Sequence, residues 1–186
     1  MQNKKRSAMP LKLVAALAML AALSMILGKY LQIPMGNVMR FSFENLPILF
    51  AGICFGPICG ALVGAVADLV GCLMVGYEIN IVVTAGAVLC GAISGTVSLL
   101  LRCADRLSVQ LRICLSVIAA HAVASVMVKT LGLAVYYDMP IGVLMLWRLL
   151  NYVIVGALEC VLLCVLLKNK AIMRTVGSIG GTKAKE

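Results

Sequence analysis

Charge is what this 186-residue chain has least of: Asp, Glu, Lys and Arg make up 12% of it, about half the roughly 25% of soluble domains, while 63% is hydrophobic. With a mean hydropathy of +1.09, that scarcity excludes a water-soluble monomer. Acidic residues are scarcer still, seven against sixteen Lys plus Arg. The resulting net charge of +9 would point to nucleic acid in a soluble protein; in a membrane protein it records orientation, so no nucleic-acid partner is expected. There is one histidine, His121, and none of the eight cysteines forms a CxxC pair. That argues against a zinc or iron–sulfur site and makes Cys54, Cys59, Cys72, Cys90, Cys103, Cys114, Cys160 and Cys164 small packing residues, so neither metal nor cofactor is expected. No GxxxxGK[ST] phosphate loop occurs; residues 177–183 have the wrong spacing and no strand before them, which excludes ATP hydrolysis. GxSxG, HExxH and paired carboxylates are absent too. Asp68 and Glu159, the intramembrane acids, stand far apart in sequence with no neighbouring base, so an enzyme is not expected.

What is present is long uncharged sequence. A transmembrane helix takes about 20 apolar residues, and spans are predicted at 13–28, 41–55, 58–75, 81–101, 113–135 and 141–167. Lys4, Lys5, Arg6 and Lys12 precede the first run as they would precede a signal peptide, but further spans follow and no small-residue cleavage site leads into a soluble domain. Gly56-Pro57 divides the second span from the third. Six spans put both termini on one face. The amino end, the loop with Arg102, Arg106 and Arg112, and the tail with Lys168, Lys170, Arg174, Lys183 and Lys185 hold twelve of the sixteen basic residues, which marks that face as cytoplasmic. The expected organisation is a basic N-terminus over 1–12, a six-helix transmembrane domain over 13–167 and a basic tail over 168–186. The polar tail is expected to be disordered or loosely attached to the membrane surface.

Lys29, Arg40, Lys129 and Arg148 are the exceptions, and all four fall near the opposite, outer face. Lys29 and Arg40 bracket the loop after span one; Lys129 and Arg148 flank the loop at 136–140. Phe41, Phe43, Tyr77, Tyr136, Tyr137 and Trp147 lie on the same side, suited to stacking on a flat ring, with Asn80, Thr84 and Asn151 to hydrogen-bond its edge. That combination suits an aromatic anion. The alternative is that the cations snorkel to headgroups and the aromatics form an interfacial belt. Arg40 with Phe41 is expected to begin a helix, with Glu44 one turn on holding the guanidinium. Arg148 is expected to grip a carboxylate with two hydrogen bonds. Asp68 is costly inside a span and serves either a site or a structural partner. His121, with no acid on its own helix, is expected to be a hydrogen-bonded packing residue. Gly52, Gly56, Gly60 and Gly64 recur every four residues, as do Ala87, Gly91 and Gly95, which predicts close helix packing.

Arg40-Phe41-Ser42-Phe43-Glu44-Asn45-Leu46-Pro47, then Phe55-Gly56-Pro57, then the run Gly60 to Gly71 around Asp68 carry a family likeness. With residues 84–95 and Trp147-Arg148-Leu149, the chain resembles, over about residues 11–168, the substrate-binding (S) subunits of energy-coupling factor (ECF) vitamin transporters, most of all the folate branch. The resemblance implies an all-α bundle of six transmembrane helices in the bacterial cell membrane, binding its vitamin from outside in a nearly closed pocket. It implies as partners a separate membrane coupling subunit and two ATPases, in keeping with the missing phosphate loop. It also implies that Ala18 and Ala22, an Ala-x-x-x-Ala stripe, meet the coupling subunit. Folate, with two carboxylates, suits the cationic rim. Riboflavin, thiamine or another pterin is the alternative vitamin, and a small membrane enzyme or channel the alternative class.

Overall fold

The computed structural model describes residues 9–35, 39–76, 79–102, 107–132 and 141–180; the side chains of 33–35, 39, 40, 141, 143, 144, 147 and 180 lie outside that description. Helix α1, Leu11–Met25, runs on into a π-helical turn, Ile26–Tyr30. Strands β1, Ile33–Met35, and β2, Met39–Phe41, follow, then α2, Asn45–Phe55, α3, Pro57–Val75, and α4, Ile81–Arg102. Helix α5, Val109–Ala120, continues as a π-helical segment, His121–Val128. Helix α6 spans Ile141–Lys168 and α7 spans Lys170–Gly180. Among the described residues, five helical stretches are long and apolar enough to cross a membrane: Leu11–Tyr30, Pro57–Val75, Ile81–Arg102, Val109–Gly132 and Arg148–Lys168; α2 is apolar but shorter.

The glycine spacing does what it predicts. A methyl on Gly91 of α4 would strike the carbonyl of Gly60 in α3, and one on Gly64 would strike the carbonyl of Ala87, so the two backbones touch. Gly56 takes a left-handed φ of +97° and lets α2 turn tightly into α3, where Pro57 occupies the first helical position. Helix α2 sits between two buried clusters. Ile48 and Ala51 join Leu17, Ala21, Cys59, Val63 and Ala67 of α1 and α3; Leu49 and Ile53 join Cys90, Ile113, Val117, Ala120 and Leu163 of α4, α5 and α6. Cys59, Cys72 and Cys90 are buried, and every described cysteine is a free thiol.

The helical architecture stands, and two finer expectations need correction. Beside the helices, β1 and β2 form a short antiparallel ribbon with Ile33 opposite Phe41 and Pro34 opposite Arg40. Arg40 and Phe41 therefore belong to a strand, and the helix begins at Asn45, where Pro47 is tolerated because the first turn lacks hydrogen-bond partners anyway. The tail is not disordered over 170–180. Asn169 Oδ1 accepts from the Ala171 amide at 3.0 Å at its start, and the spacing of Ile172, Val176 and Ile179 gives α7 an apolar side, half-buried, in contact with α1, α2 and α6.

Candidate substrate-binding site

The charged groups gather between the ends of α1, α2, α3, α4 and α5, around Glu44. Its main-chain carbonyl accepts from Ser24 Oγ at 2.5 Å, and its Oε1 lies 3.2 Å from Lys129 Nζ. Lys129 is 3% exposed and also approaches Asn45 Oδ1 at 3.5 Å. It is therefore a buried, paired cation and not a rim residue beside the loop. The wider π-helical turn before it advances each residue through a smaller angle than an α-turn, so the face on which Lys129 falls differs from the one an unbroken α-helix would give it. Lys29 lies in the other π-turn and faces Cys72 Sγ at 3.8 Å.

Small residues clear the space. A methyl on Gly28 would stand 2.7 Å from Glu44 Cβ, one on Gly86 would stand 2.5 Å from Lys129 Cγ, and one on Gly71 would stand 3.0 Å from Lys29 Cε. Glycines 28, 71 and 86 fall outside the four-residue stripe, and each admits one charged side chain. Asp68, on α3, accepts a 2.6 Å hydrogen bond at Oδ2 from Thr84 Oγ1 on α4. Ser24, Met25, Lys29, Glu44, Asp68 and Ala87 line a recess among the described residues, together with Ile48 and Ala67. Its volume of about 10 Å³ is room for one water. Among the described residues, Lys129, Lys29 and Arg148 all lie within electrostatic reach of Glu44, and Asp68 lines the same recess.

Of the residues singled out from the sequence, Asp68, Thr84, Lys29 and Lys129 come together here. Arg148 stands to one side, its Nη1 donating to the Ser125 carbonyl at 3.3 Å. Asn80 caps α4: Oδ1 accepts from the amides of Val82 and Val83 at 3.0 and 3.3 Å, which engages the oxygen expected to meet a ring edge. Phe41 and Phe43 are half-buried ahead of α2, and Asn151 is half-buried on α6. The side chains of Arg40 and Trp147, and all of Tyr77, Tyr136 and Tyr137, lie outside the described residues. Ala18 and Ala22 are both exposed on one side of α1. Sequence reasoning gave Glu44 only a supporting part; the signal for more was its place one residue before an apolar helix that starts with Asn45. It also left His121 without an acid and Glu159 without a base. The two in fact meet, Nε2 to Oε2 at 2.5 Å, because they stand on neighbouring helices 38 residues apart in sequence.

The architecture matches known structures. The chain superposes on the crystal structure of FolT bound with folic acid with a TM-score of 0.66, at 22% identity, over 83% of this chain and 91% of that one. It superposes on the S component of a bacterial ECF transporter with a TM-score of 0.65, at 20% identity, over 88% of this chain and 97% of that one. At such identities the likeness shows the fold. No curated protein matches the sequence. Residues 12–167 match the family described as "ECF transporter, substrate-specific component", a family of substrate-binding components of transporters. The span of that match places the chain in the family: it is a substrate-specific component of an ECF transporter.

Proposed function

We propose that the chain binds folate from the outer face of a bacterial cell membrane and hands it to a separate coupling subunit driven by two ATPases. The observation that carries the reading is the gathering of Lys29, Lys129 and Arg148 within electrostatic reach of Glu44, inside a bundle where charge without a partner is costly. An anion suits a site so rich in cations, and folate brings two carboxylates. The structure that contains folic acid supports the choice of vitamin by its fold. A recess of about 10 Å³ is far below the several hundred Å³ of a ligand pocket, so binding in this reading spreads the outer ends of the helices that line it.

In the same reading α2 completes a sixth crossing as a short helix, the transmembrane unit covers 13–167, and the basic ends over 1–12 and 168–186 are both cytoplasmic. Arg40, Phe41, Phe43, Tyr77, Trp147 and Asn151 join Asp68, Thr84, Lys129 and Arg148 at the outer side, with Asn80 holding the start of α4. A cationic vitamin such as thiamine is the second reading, drawn from the two carboxylates at the recess. Titration calorimetry and thermal shift of the detergent-purified chain, without ATP, decide between them. Folate is expected to release or absorb heat and raise the melting temperature. A response to thiamine or riboflavin with none to folate overturns the folate assignment.

A further inference from the structure

Between α5 and α6 runs a seam of polar contacts that the recess does not use. On α6, Arg148, Tyr152, Gly156 and Glu159 recur at four, four and three residues and so share one stripe. That stripe meets His121 and Ser125. Arg148 Nη1 donates to the Ser125 carbonyl at 3.3 Å, the Tyr152 ring stacks on the imidazole at 5.1 Å between centroids, and Glu159 Oε2 lies 2.5 Å from His121 Nε2. Gly156 faces the ring, and a Cβ there would make ordinary contact with His121 Cδ2 at 3.5 Å. The other ring nitrogen, Nδ1, shares a 3.2 Å hydrogen bond with Ser125 Oγ. His121 is 4% exposed and Glu159 0%, and Glu159 Oε1 is buried without a partner among the described residues.

A carboxyl group held inside a membrane bundle from one side alone costs more than an apolar residue in its place, so packing does not account for it. What the pair supplies is direction. Both ring nitrogens are engaged and one face is stacked, so the imidazole cannot turn, and α6 cannot rotate about its axis without breaking the bond to Glu159. Arg148 lies eleven residues back along the same stripe. We propose that His121 and Glu159 are positioning residues for Arg148: by fixing the rotation of α6 they aim its guanidinium at the anionic part of the substrate. The proposal rests on the reading of Arg148 as a substrate-binding cation.

His121→Leu alone strands a buried carboxylate and endangers folding, so the test uses the double variant His121→Leu/Glu159→Leu, which removes both ends of the bond together. In the full-length chain purified in detergent, the double variant is expected to keep the wild-type melting temperature and to lose about tenfold in folate affinity. Affinity for 6-methylpterin, which has no carboxylate, is expected to hold, and in an Arg148→Ala background the double substitution should cost nothing further. Equal losses for both ligands, or losses that add to that of Arg148→Ala, overturn the proposal. A readout without substrate separates it from the folate assignment: phenylglyoxal modification at Arg148, followed by peptide mass analysis, should run faster in the double variant than in the wild type. An unchanged rate overturns the positioning role even where folate binds, and a faster rate supports it even where folate does not.

Discussion

A lysine buried to 3% exposure inside a membrane bundle holds its charge only while a carboxylate answers it, and Glu44 is 3.2 Å from Lys129. Lys129→Met is expected to lower stability by about 2 kcal/mol, below the full cost of breaking a buried pair because the Glu44 side chain keeps 30% of its surface exposed. Thermal unfolding in detergent measures this, and adding Glu44→Gln should recover most of the loss; no recovery would mean that Lys129 matters for its packing on Gly86. In ligand binding, Arg148→Ala is expected to weaken folate by about 1.5 to 3 kcal/mol, the scale of a hydrogen bond to a charged group. Lys29→Ala, half-exposed with a stem able to reach headgroups, should cost less. Equal small losses in calorimetry would assign both cations to the lipid surface. At this scale the sequence was legible for residue type and poor for partner: Lys129 with Glu44, and His121 with Glu159, are joined across 85 and 38 residues by helix packing that no local pattern encodes.

Among the elements, α3 and α4 were legible because close backbone approach demands small residues at a fixed period, and the period stands in the chain as Gly52, Gly56, Gly60, Gly64 and then Ala87, Gly91, Gly95. Gly91→Val, whose side chain would enter the Gly60 backbone, is expected to cost about 3 kcal/mol or more and to leave little monodisperse protein on size-exclusion chromatography. Gly142→Ala on α6, with nothing among the described residues within 4 Å of the added carbon, is the contrasting case and should be neutral or slightly stabilising. A tolerated Gly91→Val would mean that α3 and α4 do not pack through this stripe. The π-helical turns, the ribbon and α7 were not legible for three different reasons. The π-turns at Ile26–Tyr30 and His121–Val128 carry no residue signature of their own. Strands of three residues offer too few positions to show alternation. Helix α7 hides its apolar side in a stretch whose composition is polar.

For the whole molecule, the proposed function places binding and delivery at opposite ends of the bundle. The charged recess uses Lys29, Glu44 and Asp68, whereas Ala18 and Ala22 stand exposed earlier on α1, between its basic start and the π-turn that carries Lys29. In a soluble protein an exposed Ala pair says little; on a membrane helix it leaves a shallow stripe where another helix can approach closely. Replacing both with Leu should fill that stripe without touching the recess. The purified double variant is expected to bind folate with wild-type affinity and to melt at the wild-type temperature, while uptake in cells that also make the coupling subunit and the ATPases falls sharply. Normal uptake would remove Ala18 and Ala22 from the docking surface. Loss of binding in the purified variant would instead show that the stripe supports the fold of this chain, and the partner's contact would have to be sought elsewhere, first on α7, which packs against the same helix.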